Sequence, residues 1–369
     1  MKVLHLISSG GMYGAEAVIL NLSHALRAAG DESSIAVFAN SSRQIYDRAV
    51  EEGLPAVLVP CSGQLSRATV KAIREVVRDQ RIDLLHAHGY KADLYAWAAL
   101  GRGGRVPLVS TCHTWYDNDL ALRVYGVLDR WVLRGFARVV AVSAEVERQL
   151  LGSGVKAGRV RRIQNGIAVG PFTEAAAGRC RAPAAPLRVG LVGRLAPEKG
   201  VDIFLDAVAI VAKALPDSEF VVLGEGPQRA SLEAQIARLG LAERVALVGH
   251  QDSMAAVYAR LDLMVSASRQ EGLPVALLEG MASGLPVVGT TVGEVPTVVR
   301  PRETGLLVTP GDAAALAGAM LEILRDHGLR LRLGQNARAL VERDFSADRM
   351  TAEYREVYCE ALAAAGSKA

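Results

Sequence analysis

Short apolar runs alternate with longer stretches of helical period along nearly the whole chain, and that alternation already predicts a fold. Strands buried on both faces read as continuous runs of Val, Ile and Leu rather than as in-out alternation. In the first half such runs fall at Lys2–Ile7, Ser34–Phe38, Ala56–Val59, Asp83–His86, Leu108–Thr111 and Arg138–Val142. The pattern stops between Gly170 and Pro186, where Gly, Pro and Ala dominate as in a linker. It restarts at Leu187–Val192 and continues with Phe220–Leu223, Val245–Leu247, Leu263–Ser266, Val287–Thr290 and Gly305–Val308. The expected fold class is therefore α/β, with two doubly wound, Rossmann-like domains whose parallel sheets are covered by helices. The expected boundaries are 1–168, a linker at 169–187, 188–344, and a terminal helical segment at 345–369. Ligands of such sheets bind beyond the carboxyl ends of the strands, so a crevice between the two domains is the expected active site.

Composition narrows the class. The 369 residues suffice for two full-sized cores. No window reaches the roughly 18 consecutive apolar residues of a membrane span. Met1 to Ile7 reads as a first strand rather than a signal peptide, since Ser8-Ser9-Gly10-Gly11 follows at once. Cys61, Cys112, Cys180 and Cys359 are scattered without metal spacing, as expected for reduced thiols of a cytoplasmic protein. Residues 1–180 hold 22 Lys and Arg against 16 Asp and Glu, while residues 181–369 hold 20 against 23. That imbalance suggests domains with different partners but is too mild to point to nucleic acid.

The strongest chemistry lies in Glu271-Gly272-Leu273-Pro274-Val275-Ala276-Leu277-Leu278-Glu279. Pro274 fits the first turn of a helix, where a missing N–H costs nothing. Glu271 would then stand on the loop leaving a strand, and Glu279 about a turn and a half inside the helix. Free N–H groups at the helix start, with Gly272 allowing close approach, would suit a diphosphate. A phosphate repels both carboxylates, so their natural task is to accept hydrogen bonds from hydroxyls on its two flanks. A nucleotide sugar has that layout. The alternative is that both glutamates are ordinary helix-start and solvated residues.

A second group opens the second domain: Gly193-Arg194-Leu195-Ala196-Pro197-Glu198-Lys199-Gly200 follows a strand and precedes a helix. Arg194 and Lys199 could neutralise a diphosphate, the first as a fork and the second as a point charge. Surface pairing with Glu198 is the alternative. Gly224-Glu225-Gly226-Pro227 lines the same edge with permissive backbone. In the first domain, Ser8 to Gly11, then His88, Tyr90 and Lys91, and then His113 end three strands and offer polar groups to the crevice. Cys112 is discounted because neighbours on a strand face opposite ways. Asp117-Asn118-Asp119 has the form of a metal-holding tripeptide, but it precedes a long helical run and reads as an N-terminal cap. No metal and no cofactor are expected.

Together these features resemble family-4 retaining glycosyltransferases of the two-domain GT-B architecture. The resemblance spans nearly the whole chain and is carried by Gly10-Gly11, His113, Val142 to Glu145, Asn165-Gly166-Ile167, Gly193-Arg194-Leu195 with Lys199-Gly200, and Glu271 to Glu279. It implies that Arg194 and Lys199 bind a donor diphosphate, Glu279 the ribose and Glu271 the transferred sugar. Gly272, Leu273 and Pro274 would line the donor, His113 would touch the sugar near its reacting carbon, and Gly10 and Gly11 would approach by backbone. The segment from Phe345 would form a helix crossing back to the first domain. Two departures stand out: Ala168 where an Asp often follows Asn-Gly-Ile, and Gly293-Glu294-Val295-Pro296-Thr297 in place of Gly-Gly-x-Pro-Glu.

The resemblance implies transfer from a nucleotide sugar, a UDP-sugar before a GDP-sugar, to a glycan, lipid-linked sugar or small acceptor in cell-surface polysaccharide synthesis. An epimerase or hydrolase of the same architecture, or a non-catalytic sugar-nucleotide binder, remains open. A dinucleotide oxidoreductase is disfavoured because Gly10-Gly11-Met12-Tyr13-Gly14 lacks G-x-G-x-x-G spacing. One surface adds a possible partner. Arg67, Lys71, Arg74, Arg78 and Arg81 recur at helical spacing opposite Ala72, Ile73, Val76 and Val77, as a contact with an anionic membrane would need. A solvated outer face is the other reading of that stripe.

Overall fold

A computed structural model describes residues 1–369 except 12–13, 62–65, 102–103, 113–119, 179–184, 250, 252 and 367–369, and the backbone alone of 120–125. The chain divides into two compact units, Met1–Gly166 with Ala347–Ala369, and Ile167–Ser346. Each is a fully parallel sheet with helices on both faces.

The first unit holds β1 (Lys2–Ile7), β2 (Glu32–Phe38), β3 (Ala56–Val59), β4 (Leu84–His88), β5 (Leu108–Cys112), β6 (Arg138–Ala141) and β7 (Val160–Arg162), in the order β3-β2-β1-β4-β5-β6-β7. One face packs Leu4, Leu6, Phe38 and Leu85 under the helices Arg67–Asp79, Tyr90–Leu100 and Leu120–Leu133. Ile7, Ile35 and Val37 pack under the helices Gly14–Ala28 and Gln44–Glu51. The helix Ala347–Gly366 lies against Gly14–Ala28 and buries Tyr354 and Tyr358 completely. Several strands shift by a residue or two from expectation, as β2 and β10 do, and two departures say more. β4 runs on to His88, which keeps His86 and His88 on one face of the sheet. β7 shows no apolar signature, being Val-Arg-Arg, and is a strand because β6 offers it an edge to pair with.

The second unit holds β8 (Arg188–Val192), β9 (Glu219–Leu223), β10 (Val245–Gly249), β11 (Leu263–Ser266), β12 (Val287–Thr290) and β13 (Gly305–Val308), in the order β10-β9-β8-β11-β12-β13. Val189, Leu191, Phe204, Phe220, Leu263 and Met320 belong to its core. Strand order reverses between β8 and β11, so the loops leaving these two strands part there and open a crevice at their carboxyl ends.

Part of the stretch read as linker is a helix, Gly170–Ala177. Pro171 in its first turn and the alanines after it explain why: the same residues that mark a linker also start and sustain a helix. Phe172 meets the Tyr258 ring edge-on at 5.9 Å, which binds this helix to the second unit. Pro274 is corrected by one position. It is the cap itself, extended at φ −70° and ψ 123°, and the helix begins at Val275.

Candidate active site

The crevice of the second unit collects the charged residues singled out in the sequence. From β8 the chain passes through Gly193 and Arg194 into the single turn Pro197–Lys199 and then the helix Val201–Ala214. From β11 it passes through Ser268 and Glu271 to Pro274 and the helix Val275–Ala282. The Lys199 ammonium is paired with Glu271 Oε2, which also accepts from Ser268 Oγ at 3.1 Å. Arg194 is paired with Glu198. Burial pushes the Glu198 carboxyl up, but its own backbone N–H, Arg194 and Lys199 outweigh that and hold it below the usual range. Val192, Lys199, Ser266, Glu271, Pro274 and Ala276 line the crevice. A polyanion entering here would meet two cations whose present partners are carboxylates.

Glu279 stands on the fifth residue of its helix, partly buried. Burial pushes its carboxyl above the ordinary range, and a hydrogen bond from Tyr258 partly counters the shift. The Tyr258 hydroxyl donates to Glu279 Oε2 at 3.0 Å and also lies 3.1 Å from the Ala276 carbonyl. Tyr258 is fully buried, so this contact fixes the carboxylate while Oε1 stays available to a second donor. Sequence reasoning missed Tyr258. It sits on a helix of five residues, Met254–Tyr258, too short to show a period. Gly224 is needed for its backbone: at φ 132°, a Cβ there would lie 2.0 Å from the Gly193 carbonyl, so the loop after β9 could not close on the loop after β8. Gly272 is exposed, Leu273 is buried, and nothing would obstruct a Cβ at Gly272, which leaves that backbone open to approach.

Residues 12–170 match the model of Glycosyltransferase Family 4, and residues 186–326 match that of Glycosyl transferases group 1. A D-inositol 3-phosphate glycosyltransferase of Salinispora arenicola is 34% identical over 341 residues, 82% of this chain and 75% of the relative. A phosphatidyl-myo-inositol mannosyltransferase of Mycobacterium leprae is 30% identical over 371 residues, covering 96% and 95%. The chain belongs to the family-4 glycosyltransferases. Solved structures share its GT-B fold. HepE of Anabaena in complex with UDP-glucose has a TM-score of 0.82 at 24% identity, covering 96% of this chain and 98% of that one. Sucrose-phosphate synthase of Thermosynechococcus elongatus has a TM-score of 0.81 at 24% identity, covering 99% and 100%.

In the first unit of this glycosyltransferase the expected polar groups divide. Gly10 is exposed and Gly11 buried at the end of β1, where Ser9 Oγ accepts from the Gly11 N–H at 3.2 Å and contacts buried Glu16 at 2.8 Å. Tyr90 is exposed, and Lys91 donates to Asn40 Oδ1 at 2.9 Å above the ring of Phe38. His88 ends β4 as expected, but its side chain is buried beside His5, their ring nitrogens 3.1 Å apart. The reason is register: His5 on β1 pairs with His86 on β4, which places all three imidazoles on one face. Burial holds His5 neutral, its pKa lowered to about 3. The nitrogens of the three rings lie within 4.8 Å of one another, a spacing that could suit a metal. The donor chemistry does not fit one, because His86 Nδ1 is engaged by Tyr358 and Nε2 by Thr111, both at 2.8 Å. His113 and Asp117-Asn118-Asp119 lie outside the described residues.

The basic stripe is also modified. All five cations are exposed, but Arg74 turns back to donate to the carbonyls of Ala99 at 2.6 Å and Ala98 at 3.2 Å. Lys71 pairs with Glu75 at 3.7 Å and Arg78 with Asp79 at 2.8 Å.

Proposed function

We propose that this glycosyltransferase uses a nucleotide-sugar donor, a UDP-sugar before a GDP-sugar, and passes its sugar with retained stereochemistry to an acceptor hydroxyl without a metal. The acceptor class is a glycan, a lipid-linked sugar or a small molecule, and the setting cell-surface polysaccharide synthesis. The observation that carries the reading is the meeting of Lys199 and Glu271, with Arg194, at the point where strand order reverses. HepE, of like fold, was solved with UDP and with UDP-glucose, which supports the choice of base.

In this proposal Arg194 and Lys199 leave their carboxylates for the diphosphate, Glu279 accepts from the ribose and Glu271 from the sugar. Breaking the bond between the sugar carbon and the phosphate oxygen places the electron pair on the departing diphosphate. The two cations and the N–H groups of the helix from Val275 stabilise that charge as it develops. The acceptor oxygen attacks the same face, and its proton passes to the leaving phosphate oxygen. His113 would lie near the reacting carbon, a role that rests on the family resemblance.

A thermal-shift screen against UDP-, GDP- and ADP-sugars tests the donor, because a ligand at 100 times its Kd stabilises the fold by about 2.7 kcal/mol. Product analysis with and without acceptors separates transfer from hydrolysis or epimerisation. Stabilisation by none of the three would remove the donor reading.

We also propose that Arg67, Lys71, Arg78 and Arg81 rest on an anionic membrane surface. Among the described residues no helix is long and apolar enough to cross a membrane, so the contact would be peripheral. Binding to anionic vesicles should fall with added salt and with Lys71 and Arg78 changed to Glu. No co-sedimentation at low salt would exclude the contact.

A further inference from the structure

The loop carrying Glu271 is tied to the loop carrying Arg194 and Lys199 by a residue outside every motif above. Arg269 Nη1 donates to Asp202 Oδ1 at 2.8 Å and Nη2 to Oδ2 at 2.6 Å, a two-pronged contact, while Nη1 also reaches the Pro197 carbonyl at 2.9 Å. The amides of Arg269 and Gln270 donate to the Glu198 carbonyl at 2.7 and 3.3 Å. Beside them the Ala267 carbonyl sits so close to Gly200 that a Cβ there would lie 2.1 Å from it, at a left-handed φ of 63°. The Arg269 fork is also the main reason the Asp202 carboxyl is held below its ordinary range.

Both side chains are more than a third exposed, at 38% and 35%. Ion pairs this exposed contribute little to global stability. What the contact can do is fix geometry, since a planar fork matched to a carboxylate sets both distance and orientation.

We propose that Arg269 is a positioning residue for the transfer: forked onto Asp202, it sets the distance between Glu271 and the two cations, and hence where the donor's sugar sits relative to its diphosphate. The inference rests on the donor site proposed above. Its effect is large relative to the strength of the contact, because misplacing reacting groups by 1 Å can cost on the order of 10²-fold in rate.

The rival role for Arg269 is direct contact with phosphate, and Asp202 separates the two. Freeing Arg269 by Asp202→Asn should strengthen a direct contact and weaken a positioned one. In Arg269→Lys and Asp202→Asn, hydrogen exchange at the amides of Arg269 and Gln270 should quicken while that of β11 is unchanged. Both variants should keep the thermal midpoint and lose roughly tenfold to a hundredfold in kcat/KM, in kcat more than in affinity for UDP. The double variant should be no worse than the weaker single one, as for residues acting as a unit. Unchanged exchange in both variants, tighter donor binding or undiminished kcat in Asp202→Asn, or additive losses would each overturn the proposal. If the unmodified protein binds no nucleoside diphosphate, the donor reading fails, and the exchange experiment still judges the tie between the loops.

Discussion

Both units reverse strand order beside their first strand, yet they fill that position with opposite kinds of polar group. In the second unit it holds ions on loops: Lys199 with Glu271, and Arg194 with Glu198. In the first, between β1 and β4, it holds buried polar groups bonded to one another. His5, His86 and His88 lie there with Thr111, Tyr354 and Tyr358. Ions on loops can trade partners when an incoming ligand brings a charge that replaces the one lost. A buried network cannot, because each group left without a partner keeps its full desolvation cost. The second unit is built to exchange contacts and the first to hold a frame.

The largest expected effect tests the exchanging half. Lys199→Ala should cost on the order of 2–5 kcal/mol in donor binding, as for loss of one partner of a desolvated charge pair. Arg194→Ala should cost less, because its side chain is 48% exposed against 23% for Lys199. Calorimetry with UDP giving native affinity in both variants would erase the contrast between the units.

The next effect tests the frame through pH. His5, neutral in the fold with a pKa of about 3 against an ordinary 6.5, binds fewer protons folded than unfolded, so it makes stability fall as pH drops below 6.5. Asp93, buried on the helix Tyr90–Leu100 of the same unit but outside the histidine cluster, behaves oppositely. Burial first, then neighbouring Asp129, pushes its carboxyl well above 3.8, so the folded state holds an extra proton and stability falls as pH rises from there. Each slope approaches about 1.4 kcal/mol per pH unit, and below pH 6.5 they oppose wherever the folded state keeps the Asp93 proton that the unfolded state has lost. In urea unfolding, Asp93→Asn should therefore gain stability as pH rises from 4 toward 6.5, and His5→Asn should lose it as pH rises from 4. Identical slopes in the two variants would show that the frame does not hold these groups in the states described.

Smaller differences separate the two carboxylates of the exchanging half. Glu279→Gln should weaken bare UDP by roughly tenfold, the size of one charged hydrogen bond. Glu271→Gln should leave UDP affinity unchanged or higher, since Lys199 loses its competitor, while transfer drops. The reverse ranking by calorimetry would exchange their roles. The smallest expected effect is none: with the diphosphate met by Arg194 and Lys199, EDTA should leave transfer unaltered. Loss of activity restored by manganese would return Asp117-Asn118-Asp119 to consideration as metal ligands.

The same division decided what could be read in advance. The strands Lys2–Ile7, Ala56–Val59, Leu263–Ser266, Val287–Thr290 and Gly305–Val308 are legible because apolar runs bounded by turn residues are local signals. Arg194, Lys199, Glu271 and Glu279 are legible because they cluster on loops and at a helix start within short stretches of chain. The frame is not, because its partners are distant in sequence. His86 and Tyr358 are 272 positions apart, and His5 and His88 are 83. Only strand register and the returning helix bring them together. The Arg269 fork on Asp202, 67 positions apart, escaped for the same reason.

The pair between Lys199 and Glu271 has a thermodynamic consequence of its own. With phosphate assigned to the cation and sugar hydroxyls to the carboxylate, neither half is free until the other is satisfied. A lone monosaccharide would have to break the pair for a few neutral hydrogen bonds and leave an ammonium uncovered. A diphosphate breaks it at no net loss of charge pairing and hands over a released carboxylate. The two ligands are therefore coupled within one site, and by linkage each should raise the affinity of the other by the same factor. The enzyme would ignore abundant free sugar and recognise the same ring only when phosphate has arrived with it.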